Sequence, residues 1–125
     1  MKRHQAIICW MANPDHPHLC ATPFFHAAAA AAMDVEVEVY FTSAAVLLLK
    51  RGVAEGLQSG PQARESVYTF MRQASQHGAR FFACSQALCE YGLTLADLIP
   101  ETSGAAGAAA YVARGLEDDW STVIY

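Results

Sequence analysis

Cys84 stands where an apolar run, Phe81-Phe82-Ala83, gives way to a helix-like pattern, Ser85-Gln86-Ala87-Leu88. A cysteine at such a junction lies at the carboxyl edge of a parallel sheet, where ligands gather. It also lies at a helix N-terminus, whose free N–H groups and positive dipole end favour thiolate over thiol. Thiolate is the nucleophile that chemistry on sulfur requires. The competing reading is plain packing, because free cysteine is among the most buried residue types.

Cys89 follows five residues later. On a helix the two thiols point to different faces, with Cα atoms beyond the roughly 7 Å limit for a disulfide. Cys89 therefore reads as a core residue, with an auxiliary sulfur role as the alternative. Cys9 lies inside an apolar strand pattern and reads as packing. His16-Pro17-His18-Leu19-Cys20 follows that strand and invites a metal reading, with His26 as a fourth ligand. Zinc tetrads come as paired spacings such as CxxC with HxxxH, which this segment lacks, so no metal is assigned. The alternative is that His16, His18 and Cys20 line the mouth around Cys84, where a histidine moves a proton or steadies a thiolate.

Ser103-Gly104-Ala105-Ala106-Gly107 invites an anion-binding backbone nest. It lacks the GxGxxG spacing and the P-loop lysine, so close packing of small residues explains it better. No Ser–His–Asp order or carboxylate pair stands out, and no organic cofactor is expected.

The elements that must position Cys84 alternate along the chain. Gln5–Met11 predicts a buried strand closed by Asn13-Pro14. Thr22-Pro23 supplies an N-cap and first-turn proline for a helix through the alanines Ala27 to Ala32. Val35–Phe41 alternates and then turns apolar, a second strand whose first half has one exposed face. Ala44–Lys50 predicts a short helix. In Pro61–His77, Val67, Phe70, Met71 and Ala74 fall at helical spacing, and Gly78 ends the run. Ala79–Ala83 predicts a third strand, Ser85–Tyr91 a short helix and Leu98–Pro100 a brief fourth strand. Gly104–Gly115 predicts an alanine-rich helix and Ser121–Tyr125 the last strand, after the solvated turn Glu117-Asp118-Asp119. Strands alternating with helices imply parallel βαβ units, hence a three-layer α/β/α sandwich. One domain over residues 1–125 is expected.

Composition narrows the function classes. The chain has 125 residues, 54% apolar and 16% charged, with net charge −4. That excludes disorder and permits a real core. The basic residues Lys2, Arg3, Lys50, Arg51, Arg64, Arg72, Arg80 and Arg114 are scattered, so nucleic-acid binding is not expected. So little surface charge suggests partner subunits, and self-association is expected. No apolar run approaches the roughly 20 residues of a membrane span. Met1-Lys2-Arg3 resembles a leader head, but Asn13-Pro14-Asp15-His16 stands where cleavage residues belong. Four cysteines without framework spacing point to free thiols in a reducing compartment, the cytoplasm.

The block Phe81 to Leu88, followed by Tyr91-Gly92-Leu93 and Asp97-Leu98-Ile99, resembles the DsrE/DsrF-like family, which includes the TusD-type sulfur-relay proteins. Met33 to Val37, Tyr40-Phe41 and the run Gly104 to Ala110 support the resemblance, which covers nearly the whole chain. It implies a five-stranded parallel sheet, strand order 4-3-2-1-5, helices on both faces, and homo- or hetero-oligomers, with trimer or hexamer favoured. It also implies that Cys84 matches the cysteine that accepts a sulfane sulfur as a persulfide and hands it on. The expected activity is that of a sulfur carrier or sulfurtransferase, and its partners are sulfur-donor and sulfur-acceptor proteins or small thiols. The His16–Cys20 loop and the extra Cys89 depart from the family pattern. The alternatives are a non-catalytic oligomeric binding or scaffold module of the same fold, or a metal-binding regulator using His16, His18 and Cys20.

Overall fold

The computed structural model describes residues 3–125; Met1 and Lys2, part of the leader-like start, lie outside them. Five strands form one sheet: β1 (His4–Cys9), β2 (Glu36–Phe41), β3 (Arg80–Cys84), β4 (Thr102–Ala106) and β5 (Trp120–Ile124). Their order is β4-β3-β2-β1-β5 and every neighbouring pair runs parallel. Parallel neighbours need crossovers. These are carried by α1 (Thr22–Ala32), α2 (Val67–Gln76), α3 (Ser85–Glu90) and α4 (Ala108–Gly115). The expected α/β sandwich and its strand order are what the chain adopts. Among the described residues no helix is long and apolar enough to cross a membrane.

The two faces of the sheet differ in depth. On one face Phe24 of α1 meets Phe41 and Phe81, with ring centroids 6.0 and 5.9 Å away. Val67 and Met71 of α2, Leu88 of α3 and Leu48 and Leu49 complete that main core. On the other face Ala6, Tyr40 and Trp120 form a small cluster, flanked by Ile8, Phe82, Ala106 and two α4 residues, Ala110 and Tyr111. No residue of α4 is fully buried. Val112, Leu116 and Ile124 stay 59%, 81% and 61% exposed.

Three elements differ from the sequence reading. The fourth strand is Thr102–Ala106, not Leu98–Pro100: Leu98 instead makes an isolated antiparallel bridge with Lys50, and Pro100 has no N–H to give a ladder. Because Gly104, Ala105 and Ala106 pair with Phe82, Ala83 and Cys84, the last helix starts only at Ala108. Tertiary pairing overrides alanine's helix propensity here, and the small-residue segment that invited a nest reading is mostly strand. Finally, α2 begins at Val67 rather than Pro61. Ser66 caps it, its side-chain oxygen accepting the Thr69 N–H at 3.4 Å.

Glu38 also departs from the alternation pattern, which placed it toward solvent; it is 2% exposed. Arg114 reaches down from α4 and donates twice to its carboxylate, Nε to Oε1 at 3.0 Å and Nη2 to Oε2 at 3.1 Å. Arg80 of β3 donates to Oε2 at 2.9 Å, and the Tyr40 hydroxyl to Oε1 at 2.6 Å. Burial alone would push this carboxyl up. Hydrogen bonds from Arg114 and Tyr40, with the charges of Arg114 and Arg80, outweigh it and hold the group below its ordinary value.

A depressed folded-state value means that Glu38 stabilises the fold fully above the unfolded carboxyl range, and that this contribution fades as pH falls through the lower folded value. Urea unfolding from pH 7 down to pH 3 should therefore show stability declining on the acid side, with a flatter decline in Glu38→Gln. At pH 7, Glu38→Ala should cost about 3 kcal/mol by leaving two arginines without their shared anion. An unchanged midpoint would contradict the buried pairing.

Candidate functional site

Cys84 is the last residue of β3 and the N-cap of α3, with extended backbone at φ −64° and ψ 125°. An apolar strand held between β2 and β4 fixes its position. The short helix turns away directly after it. The side chain is half-buried, so it is neither sealed into the core nor loose in solvent.

A cavity of about 140 Å³ opens beside it. Ile8 of β1, Tyr40 of β2 and Thr42, just past the end of β2, contribute to its lining. Across from them stand Ala106, Gly107 and Ala108 at the β4–α4 junction, with Tyr111 and Val112 of α4. Tyr40 stacks on Phe82 with centroids 5.5 Å apart and meets Tyr111 edge-on at 5.7 Å. The Tyr40 hydroxyl is tied to Glu38; burial, then that hydrogen bond and the carboxylate charge, push it up to about 12. The Tyr111 hydroxyl donates to the Val123 carbonyl at 3.5 Å. Both rings therefore offer carbon to the cavity while their polar ends are engaged elsewhere. Gly107 caps α4 without a side-chain hydrogen bond, which sets a helix start at the cavity rim. The arrangement presents one half-buried thiol at the edge of a recess lined by no charged side chain.

The other candidate residues lie apart from this cavity's lining. His18 lines a second one with Ala12, Leu19, Thr22 and Tyr125. His16 touches His18 edge-on at 6.1 Å across a short 3-10 turn, Pro17–Leu19. Cys20 is buried and its thiol donates to the carbonyls of Asn13 at 3.3 Å and His16 at 3.5 Å; burial pushes it up to about 11. His26 bonds through Nδ1 to the Tyr125 hydroxyl. Among the described residues no three His, Cys, Asp or Glu side chains gather in a way that could hold a metal ion. Cys89 is exposed on α3, not the core residue that the usual burial of free cysteine suggested. Cys9 is buried, and burial followed by the neighbouring Cys20 raises its thiol.

Sequence reasoning missed Tyr40, Thr42, Tyr111 and Val112. A signal for two of them existed in the strand ends: Phe41 pairs with Ala83, so Thr42 falls level with Cys84 and Tyr40 with Phe82. Tyr111 and Val112 depend on where α4 starts, which alanine-rich sequence does not mark. The burial pattern predicts an order of reactivity. Under native conditions iodoacetamide should label Cys84 and Cys89, whereas Cys9 and Cys20 should react only after unfolding, as read by peptide mass mapping. Native labelling of Cys20 ahead of Cys84 would contradict the placement.

Two solved structures share the fold over 100% of both chains. One is ychN protein from E. coli, at a TM-score of 0.75 and 12% identity. The other is MTH1491, a protein of unknown function from Methanobacterium thermoautotrophicum, at 0.66 and 19%. No curated protein matches the chain in sequence. The model of the DsrE/DsrF-like family matches residues 5–117, a span that takes in β1 from its second residue, all of β2, β3 and β4, the Cys84 junction and α4. By that match the chain belongs to the DsrE/DsrF-like family.

Proposed function

We propose that this protein is a sulfur carrier that holds sulfane sulfur as a persulfide on Cys84 and passes it to an acceptor thiol. One observation carries the reading: the cysteine in the family's strand-to-helix block stands half-buried at the carboxyl edge of the sheet and lines a cavity. Membership in a family associated with sulfur relay supports it. A buried thiol such as Cys9 or Cys20 is a poor alternative, because the protonated form it favours is not the nucleophile.

The chemistry is thiol–sulfane exchange. The Cys84 thiolate attacks the terminal sulfur of a donor persulfide; an S–S bond forms at Cys84, the donor's S–S bond breaks, and the donor leaves as thiolate. Release is the same step in reverse order, with the acceptor thiolate attacking the outer sulfur. The sulfane sulfur keeps its oxidation level throughout, so no external oxidant or cofactor enters. His16, His18 and Cys20 stand apart from the lining of the Cys84 cavity, and Cys89 is exposed on α3, so any auxiliary role they have is played away from that cavity.

The donor and acceptor are thiol-bearing proteins or small thiols in a reducing compartment, the cytoplasm. The apolar residues left open on the single-helix face, Val112, Leu116 and Ile124, are the surface through which copies of the chain associate.

After incubation with a persulfide donor, intact mass should rise by about one sulfur atom, the addition should map to Cys84, and Cys84→Ser should abolish it. A mass gain that survives Cys84→Ser, or no gain at all, would leave the scaffold reading of this fold in place of the carrier.

A further inference from the structure

We propose that the cavity beside Cys84 is a recognition slot for small apolar organic thiols and their persulfides, with an aryl or short alkyl group, and not for charged sulfur species such as thiosulfate. This rests on the carrier reading and adds the substrate class. Size gives the first argument. The slot measures about 140 Å³, close to the ~150 Å³ apolar cavity that takes up benzene in an engineered protein. A six-carbon group fits beside the thiol.

Charge gives the second. No charged side chain is among the residues lining the slot. Arg80 on β3 and Arg114 on α4, the cations on the elements that flank the slot, are both held by Glu38. An anion of the thiosulfate type would leave water for a recess with no cationic side chain, where only the backbone N–H groups at the start of α4 could meet it, and its two charges would not be matched. The lining offers Ile8, Val112, Ala106 and the rings of Tyr40 and Tyr111, whose hydroxyls bond to Glu38 and the Val123 carbonyl. Apart from Thr42 and the backbone at Gly107 and Ala108, such walls reward apolar area. In the transfer step the organic group R sits in the slot: Cys84–S⁻ attacks the outer sulfur of R–S–SH, giving Cys84–S–SH and R–S⁻. One S–S bond forms and one breaks.

Methanethiosulfonate reagents test the slot without sulfane transfer. The thiolate forms a mixed disulfide with the reagent's R–S group, and methanesulfinate leaves. The full chain is treated separately with benzyl, trimethylammonioethyl and sulfonatoethyl reagents, and rates at Cys84 and at the exposed Cys89 are read by peptide mass spectrometry. Cys89 corrects for the intrinsic reactivity of each reagent and for the net charge of −4. The corrected benzyl rate at Cys84 should exceed both charged rates by about tenfold or more. Ala106→Leu, which fills the slot, and Val112→Ser, a change at a 59% exposed position, should each shrink that preference. A corrected benzyl rate no higher than the trimethylammonioethyl rate overturns the slot, as does a preference untouched by both variants. Benzyl preference in a protein that takes up no persulfide sulfur would keep the slot and remove the carrier. Sulfur uptake without benzyl preference would do the reverse.

Discussion

Arg114 and Glu38 set the geometry of the reactive edge. Helix α4 buries none of its residues fully, so hydrophobic packing alone holds it weakly against the sheet. The paired hydrogen bonds from Arg114 to the Glu38 carboxylate, 97% hidden at the side chain, supply the missing attachment. The guanidinium also lies 4.2 Å over the Trp120 ring of β5, so a single side chain ties α4 to β2 and to the sheet's edge. The same carboxylate takes up Arg80 and the Tyr40 hydroxyl. That leaves the Tyr40 ring to face Cys84's cavity without its polar end. This anchor, with the Tyr111 contacts to Tyr40 and the Val123 carbonyl, keeps Tyr111 and Val112 opposite the cysteine.

The asymmetry of the sandwich follows from the same arrangement. One face carries α1, α2 and a dense aromatic core; the other has a single short helix and exposed Val112, Leu116 and Ile124.

Much of this was legible in sequence. Apolar runs at Ile7 and Ile8 and at Phe81 to Ala83, and the alternation that turns apolar from Val35 to Phe41, name their own strands, and the junction at Cys84 identifies itself by a strand pattern running straight into a helix pattern. What stayed hidden depends on contacts distant in sequence. Ser103 to Ala106 has the composition of a helix and becomes a strand only because β3 offers an edge to pair with. Glu38 reads as a solvent-facing residue of an alternating strand until Arg114, 76 residues further on, arrives over it. Cys89 errs the other way: the usual burial of free cysteine placed it inside, while it is exposed near the end of the six-residue α3. The cavity itself is assembled from four separate segments, and no local pattern encodes their meeting.

A pulse–chase with isotopically labelled sulfane sulfur tests the central claim most directly. The native protein is loaded from a labelled persulfide donor, freed of donor, and then mixed with an unlabelled acceptor thiol while label on each cysteine peptide is followed. The account predicts label confined to the Cys84 peptide, leaving it for the acceptor in step with acceptor concentration. Label that stays on Cys84 whatever the acceptor, or that resides on Cys89 from the start, would contradict it.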